Sequence, residues 1–259
     1  MQSPPSSGDS TGGTSSTSLD GNGGIWRGTI SGGAFNGYNM VGIYAKDGTS
    51  KFWVYPSTEG ATGLMIAPGT LTLNGNDYTG PYLGLPNGVS LPGNAATASG
   101  TLSGAVNSSD NSIAGSYQSG SDQGNYALAF DSDYTGGASQ SDLLSSGNTY
   151  GFIANFPGSG SHAGAITGVL TMSADTQDSS TVNIAGTDLS GCSYAGSATV
   201  VNSKYDAYDT SITRSCAGSP DVVLSGLGAY YPSQKIFGAL IDDGASVGLE
   251  LVATVTTGS

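Results

Sequence analysis

The chain has 259 residues, 43 of them glycine, with 6 Lys plus Arg against 19 Asp plus Glu and a formal net charge of −13. That charge disfavours binding to nucleic-acid phosphates or to an anionic membrane surface, and no basic stripe offsets it. The glycines, together with 14 Tyr and many Thr and Val, point to an all-β protein with many tight turns, because glycine is costly inside helices and useful in turns and bulges.

Residues 1–23 are a Ser/Gly/Thr/Pro-rich head that cannot bury enough apolar surface to offset ordering, so a disordered tether is expected there. From Gly24 the pattern alternates. Asn39–Ala45 and Lys51–Tyr55 read as a hairpin across the turn Lys46-Asp47-Gly48-Thr49. Pro68-Gly69 and Asn74-Gly75 punctuate the next stretch. Three short strands follow, centred near Leu102, Ile113 and Ala127, with turns at Asn107–Asn111 and Ser119–Gly124. Residues 135–149 are mostly polar and break the strand rhythm; a connector with one short helical turn is expected. Strands then resume from Tyr150, and the turn Asp242-Asp243-Gly244 pairs the last two. Each half holds about six to eight strands, near the number at which a small barrel closes on its own side chains. The expected architecture is therefore two consecutive small antiparallel β-barrels, 24–134 and 150–259, behind the tether. One large β-sandwich is the rival. A weak internal echo, Gly24, Gly28 and Ile30 against Gly147, Gly151 and Ile153, favours the duplication.

Cys192 and Cys216 sit outside any CxxC and have no His cluster beside them, which disfavours zinc. An even count in a chain of this composition fits an oxidised extracytoplasmic protein with one disulfide; two free buried thiols are the alternative. HExxH, P-loop and strand-to-helix GxGxxG motifs are absent, and no GxSxG stands in the strand-to-helix context of a nucleophile elbow. A Ser-His-Asp triad would have to use His162, which lies in a Gly/Ser loop. Asp131 and Asp133 would share a face if on a strand, Asp206 and Asp209 flank a turn, and Glu59 and Glu250 are the two glutamates. No spacing matches an EF-hand. Neither an enzyme activity, a cofactor nor a metal is assigned.

The aromatics are the remaining chemistry. In Lys51–Tyr55, Phe52 and Val54 share one face and Trp53 and Tyr55 the other, so both faces are apolar and one is either covered or a binding patch. Trp53, Tyr55, Tyr78, Tyr82, Tyr205 and Tyr208 are the candidate binding aromatics. Asp206, Asp209, Asp242 and Asp243 are candidate acidic contacts.

The polar head, the GIWRGT entry, SDLLSSGNTYGFIANF, the Gly191–Gly196 stretch GCSYAG and the later Cys of YDTSITRSC resemble the mature part of a Gram-negative bacterial outer-membrane lipoprotein with lipocalin-like barrel lobes. The resemblance covers roughly residues 1–30 and 140–218. Met1 stands where such a lipoprotein carries its acylated Cys, so the anchor is expected on a Cys removed from this N-terminus, and a periplasmic or secreted protein is the alternative. The resemblance implies a monomeric, lipid-anchored protein at the bacterial surface that binds a protein or glycan. Two other readings stay open. An inhibitor of a basic enzyme such as lysozyme would use the net charge for steering. A lipocalin-like carrier would enclose an apolar cavity.

Overall fold

A computed structural model describes residues 23–45, 49–56, 62–69, 71–74, 76–91, 94–107, 111–134, 139–145, 149–158, 165–202 and 205–256. The head at residues 1–22, the Lys46–Gly48 part of the first turn, Glu59 and His162 lie outside them. The protein forms two closed eight-stranded antiparallel barrels. The first is built from β1 (Gly24–Ser31), β2 (Asn39–Tyr44), β3 (Ser50–Tyr55), β4 (Gly63–Pro68), β6 (Asp77–Asn87), β7 (Ala98–Asn107), β8 (Ser112–Ser119) and β9 (Asp122–Phe130), while β5 (Thr72–Asn74) is a short flap on β6. Pairing of β1 with β9 and of β4 with β6 closes the circle. The second runs in simple order through β10 (Thr149–Asn155), β11 (Ile166–Ala174), β12 (Thr181–Asp188), β13 (Ser193–Asn202), β14 (Ala207–Ser215), β15 (Val222–Tyr231), β16 (Ile236–Asp242) and β17 (Gly248–Val255), closed by β10 on β17. The two-barrel expectation holds and the sandwich does not.

Period-2 alternation sends one face of each strand inward. In the first barrel Trp26, Phe52, Leu102, Tyr117 and Leu128 fill the interior. The hydroxyls of Tyr44, Tyr78 and Tyr126 form a buried chain, 3.2 and 2.6 Å apart, that ends on the Ser103 carbonyl. Burial raises all three phenols above their ordinary value. Gly115 makes room for this chain, since a Cβ there would overlap the Tyr126 ring. In the second barrel Phe152, Leu170, Tyr194, Ile212 and Phe237 fill the interior. Outward positions such as Asn183, Thr187 and Gln118 are polar, the reverse of a lipid-facing barrel wall.

Between the barrels lie a 3-10 turn at Ser132–Tyr134 and a short helix, α1 (Gln140–Ser145). Asp131 and Asp133 therefore do not share a strand face; the Asp133 N–H donates to the Asp131 carboxylate in a turn. Ser139 caps α1 by accepting the Asp142 N–H, while its hydroxyl donates to the Asp142 carboxylate. Leu143 of α1 is buried at one end of the second barrel, held by hydrogen bonds from Tyr150 to the Leu143 carbonyl and from Tyr208 to the Ser139 carbonyl.

The other end carries Asp188, whose carboxylate accepts from Tyr194 Oη at 2.8 Å, Arg214 Nη2 at 3.3 Å and the N–H groups of Ser190 and Cys192. The Arg214 guanidinium lies over the Phe156 ring, 4.6 Å from its centroid. Burial pushes the Asp188 carboxyl up, but these donors outweigh it and hold it below the ordinary aspartate value. The Cys192–Cys216 disulfide forms at this end and flanks the register pair Ser193 with Ser215.

Candidate functional site

The outer wall of β1–β4 and β6 packs on the outer wall of β15 and β16. Ile25, Ile43, Trp53, Met65 and Leu85 meet Leu227, Ala229 and Leu240 in a third apolar cluster. Lys51 and Asp242 form a buried ion pair across the same junction, and the Gly158 N–H donates to the Pro86 carbonyl at 2.8 Å. Trp53, on the outward face of β3, is thus covered by the second barrel and only 3% exposed.

Beside this contact the two walls diverge into a cleft of about 600 Å³. Val41, Ile43, Trp53 and Tyr55 line one side, and Tyr231, Ile236, Gly238, Leu240, Glu250 and Val252 the other. Gly238 sets its depth: a Cβ there would meet nothing nearer than the Leu251 carbonyl oxygen at 3.8 Å, so packing does not require a glycine at this point. Arg27 and Asp131 stand at the rim as an ion pair at 2.6 Å, and Tyr231 donates to the Asp133 carboxylate next to them.

Glu250 and Asn155 are register partners on β17 and β10, and the Asn155 amide donates to Glu250 at 2.6 Å. Burial pushes the Glu250 carboxyl up to about 7, against the lowering effect of that single hydrogen bond. Two buried polar atoms here, Trp53 Nε1 and Asn155 Oδ1, have no hydrogen-bond partner among the described residues. A desolvated donor and acceptor without partners are uncommon in folded proteins.

Of the aromatics singled out from the sequence, Tyr55 and Trp53 line the cleft. Tyr78, Tyr82 and Tyr208 are buried in the barrel interiors, so their alternation marks core rather than a binding face. Tyr205 packs edge-on to Phe130, with ring centroids 5.5 Å apart. The four acids do not form one exposed loop. Asp206 is buried in a left-handed turn, with φ 48°, and Asp242 is buried against Lys51. Asp209 is exposed on a separate polar groove of about 410 Å³ that also holds Lys51, Ser211 and Ser225. Asp243 is tied up accepting the N–H groups of Ala245, Ser246 and Val247. Among the described residues no group of three or more His, Cys, Asp or Glu side chains is placed to hold a metal ion. Arg27, Gly238 and Glu250 had no place in the sequence reading of a binding site. The signal for Glu250 was a single acid in the otherwise apolar Val247–Ala253 run.

No protein-family model matches the chain, and no curated protein matches it. Among solved structures it is similar to a candidate outer membrane protein from Bacteroides fragilis, at 10% identity over 91% of this chain and 98% of that one, with a TM-score of 0.29. It is also similar to the Myxococcus xanthus hemagglutinin in complex with α3,α6-mannopentaose, at 15% identity over 90% and 93%, TM-score 0.19. The Burkholderia oklahomensis agglutinin matches at 11% identity over 92% and 96%, TM-score 0.20. TM-scores of this size assign neither a family nor a function.

Proposed function

We propose that the chain is a non-catalytic binding protein of the bacterial surface that seats a protein or glycan ligand in the cleft between its barrels. The observation that carries this is the cleft itself. Its volume of about 600 Å³ falls within the ordinary range for ligand sites, about 300–1,000 Å³, and its lining combines aromatic and aliphatic walls with a few polar groups. An apolar strip continues from its mouth along the second barrel, where Val252 and Ile153 are exposed register partners. That strip favours a macromolecular ligand over a small one.

The interiors of both barrels are filled with side chains, which supports a surface ligand over a lipocalin-like cargo. Burial of Asp206 and Asp242 counts against an inhibitor that inserts those acids into a cleft. The polar head and the lipoprotein resemblance support surface display on a tether, which would reach about 25 Å on average if flexible.

Trp53 provides the test. A panel of glycans and proteins is titrated against the full chain and followed by tryptophan fluorescence. Ligands should perturb the emission and lose affinity in Gly238→Val, which fills the cleft. A ligand whose binding is indifferent to Gly238→Val would move the site elsewhere.

A further inference from the structure

The cleft floor carries an acid, Glu250, that no cation among the described residues pairs with. Glu250 projects outward from β17 in one row with Leu240 and Leu227 of β16 and β15 and Asn155 of β10, so its flanks on the wall are apolar or neutral. The described cations are placed elsewhere. Arg27 pairs with Asp131 at the rim, Lys51 with Asp242, and Arg214 with Asp188 inside the barrel. Lys235 stands in the exposed turn beside the cleft residue Gln234. The other charged or titratable groups facing the cleft are Tyr55 and Tyr231, with Asp133 behind Tyr231.

We propose that this cleft receives a lysine side chain from a basic protein partner, its ammonium meeting Glu250 and its carbon stem lying along Trp53, Tyr55 and Val252. The proposal rests on the cleft being the ligand seat. A long apolar stem ending in one charge fits apolar walls that end in one carboxyl. Aromatic faces beside the path attract a cation as well. A lysine ammonium needs only the Glu250 oxygen that the Asn155 amide leaves open, whereas a guanidinium fork would have to share the other oxygen with that amide. The net charge of −13 draws basic partners, and the Val252 and Ile153 strip offers the flanks of an inserted lysine an apolar surface.

Proton linkage makes the idea measurable. Burial raises the Glu250 carboxyl to about 7, so at pH 7 part of the population carries a proton there, and an incoming ammonium expels it. The probes are the tripeptide Ac-Gly-Lys-Gly-NH2 and its norleucine counterpart, titrated calorimetrically into the full chain in two buffers of different ionisation enthalpy. The lysine peptide should bind at least about tenfold more tightly and release a fraction of a proton at pH 7 that falls as pH is raised. Glu250→Gln should abolish both the preference and the release while keeping the thermal transition. Gly238→Val should block both peptides, and Val252→Trp at the exposed mouth replaces it if that variant does not fold.

Equal affinity for the two peptides, a lysine preference that survives in Glu250→Gln, or no binding of the lysine peptide at millimolar concentration overturns the proposal. Equal affinities that both vanish on filling the cleft would overturn the lysine alone and leave the ligand seat standing. Binding indifferent to the filling would overturn the seat itself.

Discussion

Two acids on the second barrel report opposite environments through pH. Asp188 is held below the ordinary aspartate value, 3.8, because its four donors outweigh burial. Its contribution to stability is therefore complete above that value and is lost as pH falls toward the lower folded value. Asp188→Asn should cost about 3 kcal/mol at pH 7, since it leaves the largely buried Arg214 without its countercharge. Urea denaturation would show this loss, and the variant should have a shallower acid slope than the parent below pH 4. Glu250 has the reverse sign. Its folded value, about 7, lies above the ordinary 4.5, so its ionised form destabilises the fold increasingly as pH rises from 4.5 through 7. Glu250→Gln should stabilise by about 1–2 kcal/mol at pH 8, after allowance for the partial exposure of the side chain, and by nothing at pH 4. Denaturation midpoints at the two pH values check it: equal effects at both would mean that the carboxyl is solvated.

At the scale of elements, much was legible because barrels are made of local signals. The hairpin of Asn39–Ala45 with Lys51–Tyr55, the Ser119–Gly124 turn and the Asp242–Gly244 turn all join neighbouring strands of the structure. The pairings that close the barrels across their ends, β1 with β9 and β10 with β17, join strands far apart in the chain, and nothing in the local pattern names them. The disulfide adds to a pairing that the chain already makes. It bridges the base of the β13–β14 hairpin and spans 24 positions, so in the chain-entropy model it stabilises by about 3 kcal/mol. Cys192→Ala with Cys216→Ala should thus lower the unfolding free energy by that amount in urea denaturation while leaving the far-ultraviolet circular dichroism of the folded protein unchanged, because the Ser193 and Ser215 ladder remains. A loss of β signal without denaturant would show that closure of the second barrel depends on the bridge.

The whole molecule holds what single strands concealed. Lys51–Tyr55 is apolar on both faces because Phe52 and Val54 belong to the first core and Trp53 to the contact between barrels. Sequence alone shows that the outer face is apolar; it does not show what covers it, since the partners Leu227 and Leu240 lie far along the chain and read as ordinary strand residues. The cleft is invisible for the same reason, being the place where two independently readable walls part. This contact should make the barrels unfold together, as a single calorimetric transition. Its polar anchor is the Lys51 and Asp242 pair, with both side chains nearly out of solvent. Removing one charge from a buried pair costs about 3–5 kcal/mol, whereas removing both is often close to neutral. Asp242 also accepts the Gly244 N–H through its other oxygen, a role that asparagine keeps. Asp242→Asn alone should therefore destabilise by about 3 kcal/mol and split the calorimetric transition, as the first barrel parts from the second around a stranded ammonium. Adding Lys51→Met should restore most of the loss and merge the transitions again. Two transitions in the unmodified protein would mean that the apolar contact is too weak to couple the barrels, and the cleft between them would then open and close in solution rather than stand preformed.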